Sequence, residues 1–280
     1  MRETNVSHML ASSLTAEKPN SFPDLFIIGL GVTIPGHITQ QATRAMSQCS
    51  RLYTLIREAS SIWLPPGKSK TIEVIDILKW YIEGSLRTHN YDHVARAIAR
   101  TLHRGECAGY VTYGNPMSYD SVAENLIQLA TDAGFSVQVI PGISSLESIL
   151  CDLRKDMAPG IQIMDASWLV ACQIRPRIDV PLLLMQIGAF GSLRTHYTRR
   201  QDGSSLNELV QYLGRIYPGS HPIQLIRSTG NDNQKSHIRK LPLADLGKAT
   251  AEDISGASLY IQPAQEAHID KEIVVGMERT

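Results

Sequence analysis

Three short stretches join glycine to small or polar residues in a way that could cradle a ligand. They are Gly29-Leu30-Gly31, Tyr113-Gly114-Asn115-Pro116 and Pro141-Gly142-Ile143-Ser144-Ser145. Glycine lets a ligand come close to the backbone, and a helix that follows offers unpaired N–H groups to an anionic or polar partner. Each stretch ends an apolar run that reads as a strand: Asp24–Gly31, Cys107–Thr112 and Ser136–Ile140. Ligands of open α/β sheets bind beyond the carboxyl ends of the strands. Taken singly, each stretch is also compatible with a plain connection; three in succession point to one shared crevice. Other chemistries lack their motifs. The next glycine after Gly31 is Gly36, preceded by Pro35, so GxGxxG is incomplete, and neither GxxxxGK[ST] nor GxSxG occurs. His89 and His93 share a helical face but have no third ligand in view, so they read as surface histidines and no metal site is expected.

The elements that must position these turns follow from periodicity. Helices are expected over Gly36–Gln48, Asp92–Arg104 and Val122–Ala133, with Ser144 capping another that runs to about Leu153. Arg51–Ile56 reads as a strand, 57–70 as a loop with Pro65, Pro66 and Gly67, and 71–76 as a weak strand or loop. Strand and helix thus alternate, which predicts a mainly parallel sheet. Beyond 157 the pattern changes. Residues 163–173, 181–188, Pro222–Arg227 and Ala257–Gln262 read as strands, and Leu206, Leu209, Val210, Leu213 and Ile216 form a helical stripe. The expected organisation is a polar arm (1–21), an N-terminal α/β domain (22–157), a mixed C-terminal α/β domain (158–263) and a tail (264–280).

Composition narrows the function. The 280 residues carry 27 Lys plus Arg and 27 Asp plus Glu, a formal net charge of zero, whereas a dedicated nucleic-acid binder is normally basic. No apolar run reaches the length of a membrane span; the longest, Pro181–Phe190, is interrupted by Gln186. Gln186 itself reads as a buried amide that needs partners. Residues 1–21 lack the apolar stretch of a secretory signal, so a soluble, cytoplasmic protein is expected. The spacing of Cys49, Cys107, Cys151 and Cys172 fits neither a zinc site nor a disulfide scaffold, and the four read as reduced, buried thiols. Arg194, His196, Arg199 and Arg200 read as a solvated basic face.

The order GLG, then YGNP about eighty residues on, then PGISS resembles the tetrapyrrole-methylase fold family across about residues 24–263. Within it the chain is most similar to the borosin peptide α-N-methyltransferases. The stretches that carry this are TYGNPMSY, DAGFSVQVIPGISSLESILCDL, the DAS of Asp165–Ser167 and LLLMQIGAFG at 182–191. A polar quartet adds to it: Tyr81, Arg87 six residues later, Tyr91 four after that and Tyr113 twenty-two further on. Two departures bear on substrate preference. The family often has GHPG where this chain has Gly114-Asn115-Pro116-Met117, and a small residue then an acid where it has Ser145 and Leu146.

The resemblance implies a two-domain α/β fold with the cofactor cleft between the domains, S-adenosylmethionine as methyl donor, a homodimer and a ribosomally made peptide as substrate. It implies cofactor contacts at Gly29, Gly31, Gly114, Ser144 and Gln186, and catalysis by Tyr81, Arg87, Tyr91 and Tyr113. An amide nitrogen is a poor nucleophile because its lone pair is delocalised into the carbonyl. It needs a base for its proton and donors for charge growing on the oxygen. Tyr91, next to Arg87, which favours phenolate, fits the base; Tyr81 and Tyr113 fit the carbonyl. The tail Glu272–Thr280 holds an apolar Ile273–Met277 patch similar to a borosin core, but little chain separates it from 263. It reads more simply as a terminal strand or docking segment, with a separate peptide as substrate. Two other readings stay open: a methylase of a tetrapyrrole or small molecule, and a non-catalytic binding scaffold.

Overall fold

Strand β1 (Leu25–Gly29) is buried along its whole length, and its side chains alternate between two cores. Leu25 and Ile27 face one, Phe26 and Ile28 the other, as the two-residue strand period requires. In this computed structural model β1 is joined by β2 (Arg51–Thr54), β3 (Glu73–Asp76), β4 (Ala108–Thr112) and β5 (Val137–Ile140). They form a sheet of order β3-β2-β4-β1-β5 in which every pair is parallel. Helix α1 (Gln40–Gln48) covers the Phe26 face through Ala42, Ala45 and Met46. Helices α2 (Arg87–Ala99) and α3 (Ser121–Asp132) cover the Leu25 face through Val94, Ile98, Val122 and Leu126.

The second sheet contains β6 (Gln162–Asp165), β7 (Leu182–Met185), β8 (Pro222–Arg227), β9 (His237–Pro242) and β10 (Ser258–Ile261). Its order is β6-β7-β10-β8-β9, with β6–β7 parallel and the other pairs antiparallel. Helix α4 (Ser145–Leu153), which leaves the first sheet, places Ile149 against Leu183, Met185, Ile226 and Tyr260 of the second. Helices α5 (Ala166–Ala171) and α6 (Asn207–Leu213) pack on the opposite face. Short helices α7 (Ala251–Ile254) and α8 (Lys271–Met277) complete the fold. The α/β two-domain arrangement, parallel sheet first and mixed sheet second, matches the sequence expectation.

The structure describes residues 22–56, 63–64, 67, 71–196, 201–229 and 235–277. The expected arm 1–21, most of the loop 57–70, and Arg199 and Arg200 lie outside the described residues. Among the described residues no helix is long and apolar enough to cross a membrane.

Several local expectations are corrected. Helix α1 starts at Gln40, not Gly36, because Thr39 caps it by accepting from the Ala42 N–H at 3.0 Å. Helix α2 starts at Arg87, five residues before the expected Asp92, and so carries both Arg87 and Tyr91. The run 163–173 is not one strand: Asp165 ends β6 and caps α5 by accepting from the Trp168 N–H at 2.9 Å. Strand β9, with its exposed polar side chains, was not anticipated. The tail forms helix α8 rather than a strand, its first turn held by Asp270, which accepts from the Glu272 and Ile273 N–H groups. Cys49 is buried and Cys107 half-buried, but Cys151 and Cys172 are exposed, so the four thiols are not uniformly interior.

Candidate functional site

The three turns meet. The Gly31 and Gly114 backbones exchange hydrogen bonds of 3.1 and 3.0 Å, joining the exits of β1 and β4. A Cβ on Gly29 would sit 2.5 Å from the Gly114 oxygen and 2.7 Å from the Gly142 nitrogen. One on Gly142 would overlap the same Gly114 oxygen and the Gly29 carbonyl. Gly31 has φ +80, and His37 occupies the place its side chain would take. Gly29 and Gly31 therefore make room for neighbouring chain and do not line the cavity beyond. Gly114 does line it: at φ +70 its nearest would-be contact is Val32 Cγ1 at 3.6 Å, so the backbone lies open there.

That cavity, of about 390 Å³, lies between the domains. The first domain contributes Val32, Tyr113, Gly114, Asn115, Ser118 and Tyr119, and the N-terminus of α4 adds Ser144 and Ser145. The second contributes Met185, Gln186, Gly188 and Ala189 after β7, Ser228 after β8, and Gly256–Ser258 entering β10. The Ser144 hydroxyl is already engaged in a capping box: it donates to Glu147 at 2.6 Å and accepts from the Leu146 N–H at 3.0 Å. Gln186 is exposed rather than buried, which corrects the expectation drawn from its apolar surroundings. It adopts φ 60, ψ 27, a left-handed turn that ends β7 and leaves its side chain in the cavity wall. Tyr119 shares this uncommon backbone, with φ 62. Non-glycine residues rarely adopt it, and such strain gathers at ligand sites. Small-molecule sites typically measure about 300–1,000 Å³ with a few polar groups in the wall. The size, the open Gly114 backbone and the serine, asparagine and glutamine side chains thus suit a nucleoside-bearing ligand such as S-adenosylmethionine.

A second chamber, of about 520 Å³, shares Gly188 and Ala189 with the first. It holds Tyr81, Arg87 and Tyr91. A smaller hollow lined by Arg87 and Tyr91 also reaches Tyr119 and Gln186, so the spaces adjoin on two sides. The Arg87 Nε–H donates to Tyr91 Oη at 2.8 Å, one helical turn away, with the guanidinium 5.8 Å from the Tyr91 ring centre. The Tyr81 ring meets that of Tyr91 edge-on, at 6.4 Å and 75°. Three of the four expected catalytic residues are therefore together. Tyr113, 52 % exposed, lies instead in the wall of the first cavity.

Buried Asn90 fixes this chamber. Its carboxamide accepts from the Ile82 N–H at 2.9 Å, donates to the Ile82 carbonyl at 2.9 Å, and donates to Thr195 Oγ1 of the second domain at 2.8 Å. The chain beside it is paired across the domains. Gly84 N–H donates to Thr195 O, Thr195 N–H to Ser85 O and Arg87 N–H to Leu193 O, each at 2.9 Å. Arg194 is part of this seam, donating to the Gly84 carbonyl at 2.7 Å, and His196 lies 3.1 Å from Glu83. The expected solvated face is thus engaged at these two residues.

The β4 exit is braced from below. Tyr110 Oη donates to Asp120 at 3.0 Å, and Asp120 caps α3 through the Ala123 N–H. Burial first, then the Asp120 charge, pushes the Tyr110 phenol well above its usual range, so it stays a donor. The Tyr119 phenol is also raised, by burial and by Asp165. Sequence reasoning missed Tyr119 and Asn90 as site-building residues. For Tyr119 the signal was its place at the end of the YGNPMSY run; Asn90 acts through a contact with Thr195 distant in sequence. Among the described residues no group of three or more His, Cys, Asp or Glu gathers as a metal site.

Comparison with known proteins agrees with this architecture. The family described as Tetrapyrrole (Corrin/Porphyrin) Methylases matches residues 24–246. Among curated proteins, the chain is 26% identical over 203 residues to a methyltransferase/ribosomally synthesized type III borosin cyclic peptide precursor of Anomoporia bombycina. That match covers 71% of this chain and 23% of the relative. It is 24% identical over 258 residues to the methyltransferase/ribosomally synthesized cyclic peptide omphalotin A precursor of Omphalotus olearius, covering 91% of this chain and 61% of that one. A type I borosin precursor of Cerrena unicolor gives 23% over 265 residues, 91% of this chain and 62% of the other. The chain therefore spans about a quarter to three fifths of the length of these relatives. Solved structures similar in fold include the methyltransferase CobJ (TM-score 0.56, 13% identity, 88% of this chain and 96% of that one). Another is the uroporphyrin-III C-methyl transferase of Thermus thermophilus complexed with S-adenyl homocysteine (TM-score 0.54, 16% identity, 89% and 99%). With its paired sheets, its cavity between them and a family match across most of its length, this chain belongs to the tetrapyrrole (corrin/porphyrin) methylase family.

Proposed function

We propose that this chain is an S-adenosylmethionine-dependent methyltransferase acting on backbone amide nitrogens of a ribosomally made peptide. The observation that carries this reading is the wall shared by the glycine-lined cavity and the Tyr81–Arg87–Tyr91 chamber at Gly188 and Ala189. A methyl donor in the one and a peptide in the other would adjoin. When bound, S-adenosylmethionine supplies an electrophilic methyl group on a sulfonium. Gly114, Asn115, Ser145, Gln186 and Ser228, in the cavity wall, would hold it.

The chain's own residues then have separable tasks. Tyr91 Oη accepts from Arg87, which leaves a second lone pair on the oxygen for a substrate N–H in the chamber. In the reaction Tyr91, as a phenolate held by the Arg87 charge, takes the amide proton and afterwards returns it to solvent. Tyr81 holds the peptide carbonyl from the chamber side and Tyr113 from the cavity side. The seam of 82–87 with 193–196 fixes the distance between the walls, which supplies rate through orientation.

A separate peptide is the favoured substrate. In α8 the amides of the Ile273–Met277 region are committed to helix: Ile273 N–H donates to Asp270 Oδ1 and Val274 N–H to the Asp270 carbonyl. A nitrogen must give up such a bond to be methylated. A homodimer and a cytoplasmic location complete the reading.

The test offers the purified chain methyl-labelled S-adenosylmethionine with either a synthetic Val/Ile/Gly-rich peptide pool or a uroporphyrin-type tetrapyrrole. Label on peptide backbone nitrogens, located by fragmentation, is expected. Label on the tetrapyrrole overturns the peptide reading. Binding of S-adenosylhomocysteine by calorimetry with label on neither substrate favours the scaffold reading. Label on the chain's own 273–277 amides overturns the separate-peptide assignment.

A further inference from the structure

At the other end of the first sheet, just before the N-termini of the neighbouring strands β2 and β4, Cys49 and Cys107 touch. Their sulfurs are 3.6 Å apart although 58 residues separate them in sequence. The backbone holds them in place. Cys49 follows α1, and Cys107 immediately precedes β4. Ser50 N–H donates to the Cys107 carbonyl at 2.9 Å, and the next residues, Arg51 and Ala108, are register partners. Gly109 leaves room for the pair, since a Cβ there would lie 3.2 Å from Cys49 Sγ. Access is unequal: Cys49 is 4% exposed and Cys107 half-buried.

We propose that Cys49 and Cys107 are a thiol–disulfide modification site whose oxidising substrate is a small disulfide such as glutathione disulfide. Cys107, the more accessible sulfur, attacks as thiolate. It bonds to one glutathione sulfur and expels the other as glutathione thiolate. Cys49 then attacks the Cys107 sulfur and gives its proton to the departing glutathione thiolate, forming the Cys49–Cys107 bond and releasing the second glutathione. Two protein thiols are oxidised by two electrons, and one glutathione disulfide becomes two glutathiones. The local electrostatics run the same way. The hydrogen bond between the two sulfurs holds the Cys107 thiol below its ordinary value against the effect of burial. That same bond, with burial, pushes Cys49 up. The lower-pKa, more accessible thiol is the one expected to react first. The sulfurs must close to about 2.05 Å, a movement of roughly 1.5 Å within reach of side-chain rotation. The bond would close a loop that contains Tyr81, Arg87 and Tyr91.

The test treats the full chain with glutathione disulfide, alkylates free thiols and maps peptides without reduction. The expected result is a Cys49–Cys107 cross-link, with Cys151 and Cys172 alkylated or glutathionylated, and a Tm rise of about 5 °C that a reductant reverses. In Cys49→Ser the glutathione adduct at Cys107 should persist, whereas in Cys107→Ser Cys49 should stay reduced. Adducts confined to Cys151 and Cys172, or a Cys107 adduct in the unaltered chain that Cys49 never resolves, would overturn the proposal. The map of the unaltered chain decides it even if a variant fails to fold.

Discussion

The two spaces of the cleft are walled by different means. Around the glycine-lined cavity, backbone lies directly on backbone, and the absence of side chains at Gly29 and Gly142 sets the geometry. Around the neighbouring chamber, side chains set it, and they are held by hydrogen bonds that cross between domains at Asn90 and Arg194. The first kind of wall tolerates no added atom at Gly29 or Gly142, and its hydrogen bonds run between main chains rather than side chains. The second tolerates changes of shape but depends on each polar partner. One region should thus fail through folding and ligand affinity, the other through rate.

The largest expected effect falls on the chamber. Arg87→Ala and Tyr91→Phe should each reduce methyl transfer by about 10²-fold or more, the usual scale for a lost acid–base group. S-adenosylhomocysteine affinity, read by calorimetry, should be almost unchanged, and full turnover in both variants would remove the assignment. Gly29→Ala should do the reverse. It forces a methyl group onto the Gly114 and Gly142 backbones, costing about 1–3 kcal/mol of stability. It should also weaken S-adenosylhomocysteine binding; a variant with unchanged Tm and affinity would break the comparison.

Asn90→Ala lies between these extremes. It leaves the Ile82 N–H and carbonyl without their partner, a loss of about 1–3 kcal/mol, and removes the Asn90 bond to Thr195 from the seam. Peptide KM should rise while cofactor affinity holds. The smallest effect is expected at Asp253, which completes the capping box of α7 with Thr250 just before the cavity residues Gly256–Ser258. Its hydrogen bonds from Thr250, and the Arg239 charge beside it, hold its carboxyl below the usual range. A depressed carboxyl contributes stability above its unfolded value of about 3.9 and loses it as pH falls through the folded one. Asp253→Asn should therefore lower stability by about 1 kcal/mol at neutral pH. Its melting curve should converge on that of the unaltered chain as pH falls below the depressed folded value.

The same contrast explains what could be read from the sequence. The glycine turns were legible because a tight exit from a strand leaves a local composition. The parallel sheet was legible because its central strands are continuous apolar runs such as Leu25–Ile28. The start of α2 was not, because Leu86 stands at its N-cap with no side-chain hydrogen bond to mark it. In the segment after β6, the short apolar run Ala166–Ala171 suited strand and helix equally, and only Asp165 signalled the cap. Gln186 was misread because one polar residue among apolar neighbours suggests burial, whereas the left-handed turn there rotates it out. The Asn90 and Arg194 contacts join segments 105 and 110 residues apart and leave no local pattern.

The pairing of 82–87 with 193–196 also has a mechanical consequence. Two lobes joined by one linker can swing apart around a ligand as a hinge. Here the lobes are fastened a second time beside the chamber, at Gly84, Arg87 and Thr195. A jaw pinned at two points does not gape; it can only slide or lose a pin. Turnover should therefore proceed with the lobes nearly stationary, and a long, flexible substrate would be fed through the mouth rather than gripped by closure.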